Sequence, residues 1–183
     1  MVFRRSLRDV KADTMTRAIP SIHELALSPR PPWLIASRLA TTDKFEGIAG
    51  VNVVRLNGQM MRSKSQLLQY VYQVIKAPQF AGMNWHALFD ILQDVKWDDP
   101  STPILIVVDH WESVLSDESP EQFSSFMHVL VDTADWLSRP RNMSFDTTLP
   151  PTPFHTLFII ALTDNVRSLL EKAEALGFEI ALL

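Results

Sequence analysis

The sequence predicts an α/β fold, a small parallel β-sheet covered by α-helices. Two observations carry that reading. Pro103–Val108 (PILIVV) and His155–Leu162 (HTLFIIAL) are continuous apolar runs rather than alternating ones, as expected of strands buried on both faces. Between and around them lie segments with apolar residues at helical spacing, so strands and helices alternate along the chain.

Taken in order, residues 1–28 show weak periodicity and read as a tail or a loosely docked helix. Pro29, Pro31 and Pro32 then interrupt any helix. Trp33–Leu39 has the pattern of a short strand, with Trp33, Ile35 and Ser37 on one side. Gly47 and Gly50 flank a turn into a strand at Val51–Leu56, which ends at the turn Asn57-Gly58. Ser63 or Ser65 caps a helix running to Ile75, with Leu67, Leu68, Val71, Val74 and Ile75 as its stripe. Ala77-Pro78 ends it.

The next helix is the most informative stretch, Phe80–Trp97 (FAGMNWHALFDILQDVKW). Asn84 is suited to its N-cap, because the side-chain oxygen can accept from an unpaired first-turn amide. Gly82 reads as a position needing a backbone angle that a Cβ would resist. Leu88, Ile91, Leu92 and Val95 recur at i, i+3, i+4, i+7 and form a core-facing stripe. His86, Phe89, Asp90 and Gln93 fall on or near the opposite face, where an aromatic ring stands beside a carboxylate. Beyond the strand at Pro103–Val108, Pro120 opens a helix reaching about Leu137. Arg139–Pro153, with four prolines, reads as a surface loop. After His155–Leu162, Thr163 or Asp164 caps a last helix with Gly177 as its C-cap, and Phe178–Leu183 has the character of a final strand.

The 183 residues suffice for one sizeable domain with appendages, and 46% hydrophobic with 21% charged residues is ordinary for a globular protein. Without cysteine there are no disulfides, thiolate metal sites or cysteine nucleophiles, which fits a reducing cytoplasm. The N-terminal basic residues lack an apolar core segment and do not read as a signal peptide. No apolar run approaches the ~20 residues of a membrane span. The net charge of −4 conceals an asymmetry: residues 90–135 hold eleven acids and one base, whereas residues 1–50 are net basic. An acidic middle argues against direct nucleic-acid binding and favours a basic protein partner.

The run Leu56–Leu92 resembles the barstar family of intracellular ribonuclease inhibitors. The resemblance is carried by a short strand, the Asn57-Gly58 turn, Arg62-Ser63 ahead of a helix, and then Pro78, Phe80, Gly82, Asn84, Ala87-Leu88 and Asp90 at family-like spacing. It continues more loosely through Thr102–Trp136. It implies a three-stranded parallel sheet at 51–56, 103–109 and 156–162, extended by the terminal helix and strand as a possible fourth. On this reading residues 1–50 are an N-terminal extension containing a possible short strand. Residues 51–163 are the barstar-like domain, and 164–183 a helix–strand extension of it.

The resemblance also implies roles. Asp90 would enter a ribonuclease active site and pair with the cations that otherwise hold RNA phosphate. Phe89 and Phe80 would be aromatic contacts, with Gly82, Asn84 and Gln93 completing the loop and helix face. Asp94 would share in phosphate mimicry, and Asp132 corresponds by helix phase to a further acidic contact. His86 departs from the pattern, since family members commonly carry an acid there, and it points to a divergent cognate enzyme. The expectation is therefore a cytoplasmic immunity protein, assumed monomeric. It would occlude a basic ribonuclease toxin, with no cofactor, metal, nucleic acid or membrane as partner. The rival is a protein-binding module of the same fold that regulates a non-nuclease toxin or a host protein.

Enzymatic readings have little support. His86 with Asp90 supplies two ligands without a third at metal spacing, and His23, His110, His128 and His155 match no metal motif. There is no glycine-rich phosphate loop or nucleophile elbow.

Overall fold

The computed structural model describes residues 21–38, 48–79, 81–94, 102–144, 147–160 and 166–183. Its centre is a five-stranded parallel sheet of order β2-β3-β6-β1-β7. The strands are β1 (Leu34–Arg38), β2 (Asn52–Asn57), β3 (Ile104–Asp109), β6 (Phe154–Ile160) and β7 (Ile180–Leu182). The helices are α1 (Ile22–Ala26), α2 (Lys64–Val74), α3 (Trp85–Asp94), α4 (Pro120–Leu137) and α5 (Val166–Ala175). A short antiparallel hairpin, β4 (Arg141–Ser144) with β5 (Thr147–Leu149), stands apart from the sheet.

The apolar runs behave as their composition requires. Every residue of β6, and every residue of β3 except Asp109, is buried. Alternate side chains serve two cores, because successive strand residues point to opposite faces. Ile104, Ile106 and Val108 join Phe154 and Phe158 in the main core, which also takes in Leu67, Leu88, Phe123 and Leu169 from α2–α5. Leu105, Val107, Leu157 and Ile159 face the other way, where Leu25 of α1 packs on them.

The sheet is larger than the three or four strands expected. Leu34–Arg38, expected as a possible short strand of an N-terminal extension, lies between β6 and β7, paired in parallel with both. The C-terminal strand therefore meets β1 and not β6. Strand order is set by crossovers, and a buried strand carries the same apolar signature at any position in the sheet. Of the tail or loosely docked helix expected before Pro29, residues 22–26 are a helix, and the loop expected at 139–153 changes. Ile22–Ala26 is a capped helix, with Ser21 and Glu24 in a reciprocal capping box and Leu25 and Ala26 buried. The proline-rich 139–153 segment carries the β4–β5 hairpin, and Arg141 at its start is buried, donating to Thr152 Oγ1 at 2.8 Å and lying over the Trp136 ring.

At the C-terminal ends of β2 and β3 the backbone closes tightly. Asn57 caps a single 3-10 turn, Gly58–Met60, by accepting from the Gln59 amide. A Cβ on Gly58 would fall 2.7 Å from the His110 carbonyl carbon and 2.9 Å from Asp109 O, so close approach explains this glycine. Arg62 makes a two-pronged ion pair with Asp117, and Leu115 N donates to Met61 O, tying the loops after β2 and β3 together. α2 then starts at a capping box of Ser63 and Gln66. It ends at Val74 with Ile75 as C-cap, and Lys76, at φ 54°, turns the chain off the helical path.

His155, on the α1 side of β6, is fully buried and bridges two carbonyls of the loop between α1 and β1, Pro32 O at Nδ1 (2.9 Å) and Ser28 O at Nε2 (2.8 Å). A neutral ring has one N–H for these two acceptors. Burial pushes the imidazole below its ordinary value of 6.5, against the two carbonyls, which favour the charged form. The unfolded chain then binds a proton at a pH where the folded chain does not. Stability is complete above about 6.5 and declines as pH falls towards the lower folded value. Denaturant unfolding should give a lower free energy at pH 5.5 than at pH 7.5, and His155→Gln should flatten that difference while lowering stability at both. A pH-independent free energy in the unsubstituted chain would contradict the assignment.

Candidate functional site

The site is built on α3. Asn84 Oδ1 accepts from the Ala87 amide at 2.9 Å, the cap expected from the sequence. Leu88 and Leu92 are buried and Ile91 half-buried, so the apolar stripe faces the main core as its spacing requires. Val95 lies outside the described residues. Trp85 fastens the helix start to α4: its Nε1 donates to Gln122 Oε1 at 2.9 Å and its ring is tilted against Phe126 at 6.1 Å. Lys64 Nζ sits 5.3 Å from the same ring.

With one face anchored, the other presents polar groups. His86 and Asp90 are one turn apart, Nε2 to Oδ2 3.7 Å, with 85% and 56% of their side chains exposed. At that separation and exposure the pair holds neither group firmly. Asp94 is exposed at the end of the helix. Phe89 is half-buried, its ring packed on the edge of the main core. Gln93 departs from its expected role: it is half-buried, and its Nε2 is enclosed without a hydrogen-bond partner, so this amide is turned from the solvent face.

Gly82 also differs from expectation. Its φ is outside the left-handed region, so backbone freedom is not what the position needs. A Cβ there would lie 3.1 Å from both Ala87 Cβ and Asn84 Nδ2, and the Gly82 carbonyl accepts from Tyr72 Oη at 2.8 Å. A side chain at this position would crowd Ala87 and Asn84 at the mouth of α3. Phe80 lies outside the described residues.

Between α3 and α4 runs a groove of about 710 Å³. His86 and Phe89 line it from α3, Glu121, His128 and Asp132 from α4, and Leu176 from the end of α5. The fold thus brings His86, Phe89 and Asp132 to one surface, although Asp132 lies 46 and 43 positions along the chain from the other two. Glu121 was absent from the residues expected at the site. It stands in the first turn of α4, and hydrogen bonds from Ser119 and its own amide hold its carboxyl below the ordinary range. Trp85 and Leu176 were also missed: a tryptophan inside a helix stripe reads as core, and nothing local to Leu176 points to a helix some eighty residues away. Among the described residues no group of three or more His, Asp or Glu side chains is placed to hold a metal.

The Asn84 cap governs how α3 begins. Asn84→Ala should lower unfolding free energy by about 1 kcal/mol, measured by urea denaturation, whereas Asn84→Ser should restore most of it. Equal stability of all three would show that the cap contributes nothing.

A search of the curated proteins finds no match to the chain. The family model described as Barstar (barnase inhibitor) matches residues 51–148, a segment that holds β2, α2, α3, β3 and α4 and with them both walls of the groove contributed by α3 and α4. That match spans more than half of the chain, and the protein belongs to the barstar family.

Proposed function

We propose that this protein is an immunity protein that binds a cognate bacterial ribonuclease toxin in the cytoplasm and occludes its active site. The family is one of ribonuclease inhibitors rather than enzymes. The observation that carries the reading is Asp90: an exposed carboxylate on a helix anchored from behind by Leu88 and Leu92, whose only ion-pair partner among the described residues is the loosely placed His86. A cleft preorganised for phosphate is satisfied by such an acceptor, and desolvation on docking makes the pair a hot spot. Phe89 adds apolar area beside it, while Asp132 and Glu121 extend the negative surface across the groove. His86 cannot mimic a second phosphate; it supplies a ring and a donor where family members commonly carry an acid. The excess of acids in residues 90–135 favours fast encounter with a basic enzyme.

The test is RNA hydrolysis by barnase, titrated with the unsubstituted chain and with Asp90→Ala. The chain should inhibit. Asp90→Ala should weaken inhibition by at least about 30-fold, the size of a central hot spot, at unchanged folding, and the association rate should fall as salt rises. If Asp90→Ala inhibits as well as the parent, the reading fails and a protein-binding role without a nuclease takes its place; if the chain leaves barnase fully active, occlusion of a barnase-type cleft falls.

A further inference from the structure

The helix α5 and its cap are docked on α4, the far wall of the groove. Leu169 and Ala173 are buried, and Lys172 Nζ lies 3.6 Å from the Phe123 ring centroid. Gly177, at φ 81°, ends the helix with a paired cap: its amide donates to Glu174 O at 3.0 Å and that of Phe178 to Ala173 O at 2.9 Å. The turn sets the Phe178 ring edge-on to His128 at 4.7 Å and places Leu176 in the groove wall. None of these α5 residues belongs to the segment matched by the family model, which ends at 148.

We infer that Leu176 is a specificity-determining contact for the ribonuclease partner, a wall that this chain adds to the α3–α4 surface from outside the family segment. The inference rests on the inhibitor reading above. The occupant is a basic ribonuclease of the barnase kind, for two reasons. The groove is continuous with the surface of His86, Phe89 and Asp132, and its lining holds two carboxylates and no Lys or Arg. An apolar wall beside those acids keeps water from them once a partner docks, which strengthens their attraction for a cation. Because α5 is held by its own buried residues and its cap, the wall is already in position before binding and costs little ordering.

The experiment is calorimetric titration of barnase into the unsubstituted chain, Leu176→Ala, Leu176→Trp, Asp90→Ala and the exposed control Glu174→Ala, with thermal unfolding of each. Leu176→Ala should weaken binding about five- to tenfold and Leu176→Trp, which fills the groove, by more than about tenfold, with Glu174→Ala unchanged. Should Leu176→Trp unfold, Leu176→Ala still decides. If folded Leu176 variants bind like the parent while Asp90→Ala has lost binding, the wall is no contact and this inference falls alone. If the parent does not bind barnase, or Asp90→Ala binds as tightly as the parent, the reading beneath it falls as well.

Discussion

Two strands buried on both faces set the terms for the whole molecule. β3 and β6 have apolar side chains above and below the sheet, and neither face can be left to water without exposing several large residues. One face is covered by α2–α5 and the other in part by α1. The N-terminal strand β1 serves the same requirement within the plane of the sheet. It pairs with β6 along the whole of β1, so that β6 has a strand on each side. Residues before the family segment are therefore part of the central layer, and the buried His155 ties the loop that leads into β1 to that layer.

The covering helices on the main face also make the groove, and the two duties fall on different sides of the same elements. α3 spends Leu88 and Leu92 on the core and uses Trp85 to grip Gln122 of α4, which fixes its rotation. Its remaining side then carries His86 and Asp90 outward, loosely paired with each other. α4 buries Phe123, Phe126, Met127 and Leu130 and turns Glu121, His128 and Asp132 towards the groove. Preorganisation here comes from packing behind the site, since the exposed groups themselves are only weakly paired.

Much of this follows from local pattern, and the exceptions have physical causes. The Asn84 cap, the Leu88–Leu92 stripe, the outward placement of Asp90, the buried strands and the Gly177 cap all depend on interactions within a few residues of chain, which is why spacing alone reveals them. The position of β1 between β6 and β7 depends on crossovers, and the strand's own residues are silent about neighbours. Gly82 and Gln93 show a subtler limit. Helix phase placed Gln93 near the outer face, yet its amide is enclosed, because a long side chain can lean out of the sector its Cα occupies. Gly82 was attributed to backbone freedom, whereas the nearest atoms show that the missing Cβ is what matters. Leu176 in the groove wall is a tertiary fact with no local signal.

His86 is where this chain is most its own. In the free protein, the pair with Asp90 is spread over 3.7 Å and open to water, so it does little to neutralise the carboxylate or to fix its rotamer. Docking changes the medium. In a docked complex of the kind proposed, exclusion of water would strengthen the contact of the His86 ring with Asp90, whereas a second carboxylate in its place would repel Asp90 across one helical turn. Further negative charge stands across the groove at Glu121 and Asp132, on a helix packed against α3. On the proposed inhibitor reading the recognition charge would be divided between two helices, and a partner would have to fit the spacing between them as well as the single carboxylate.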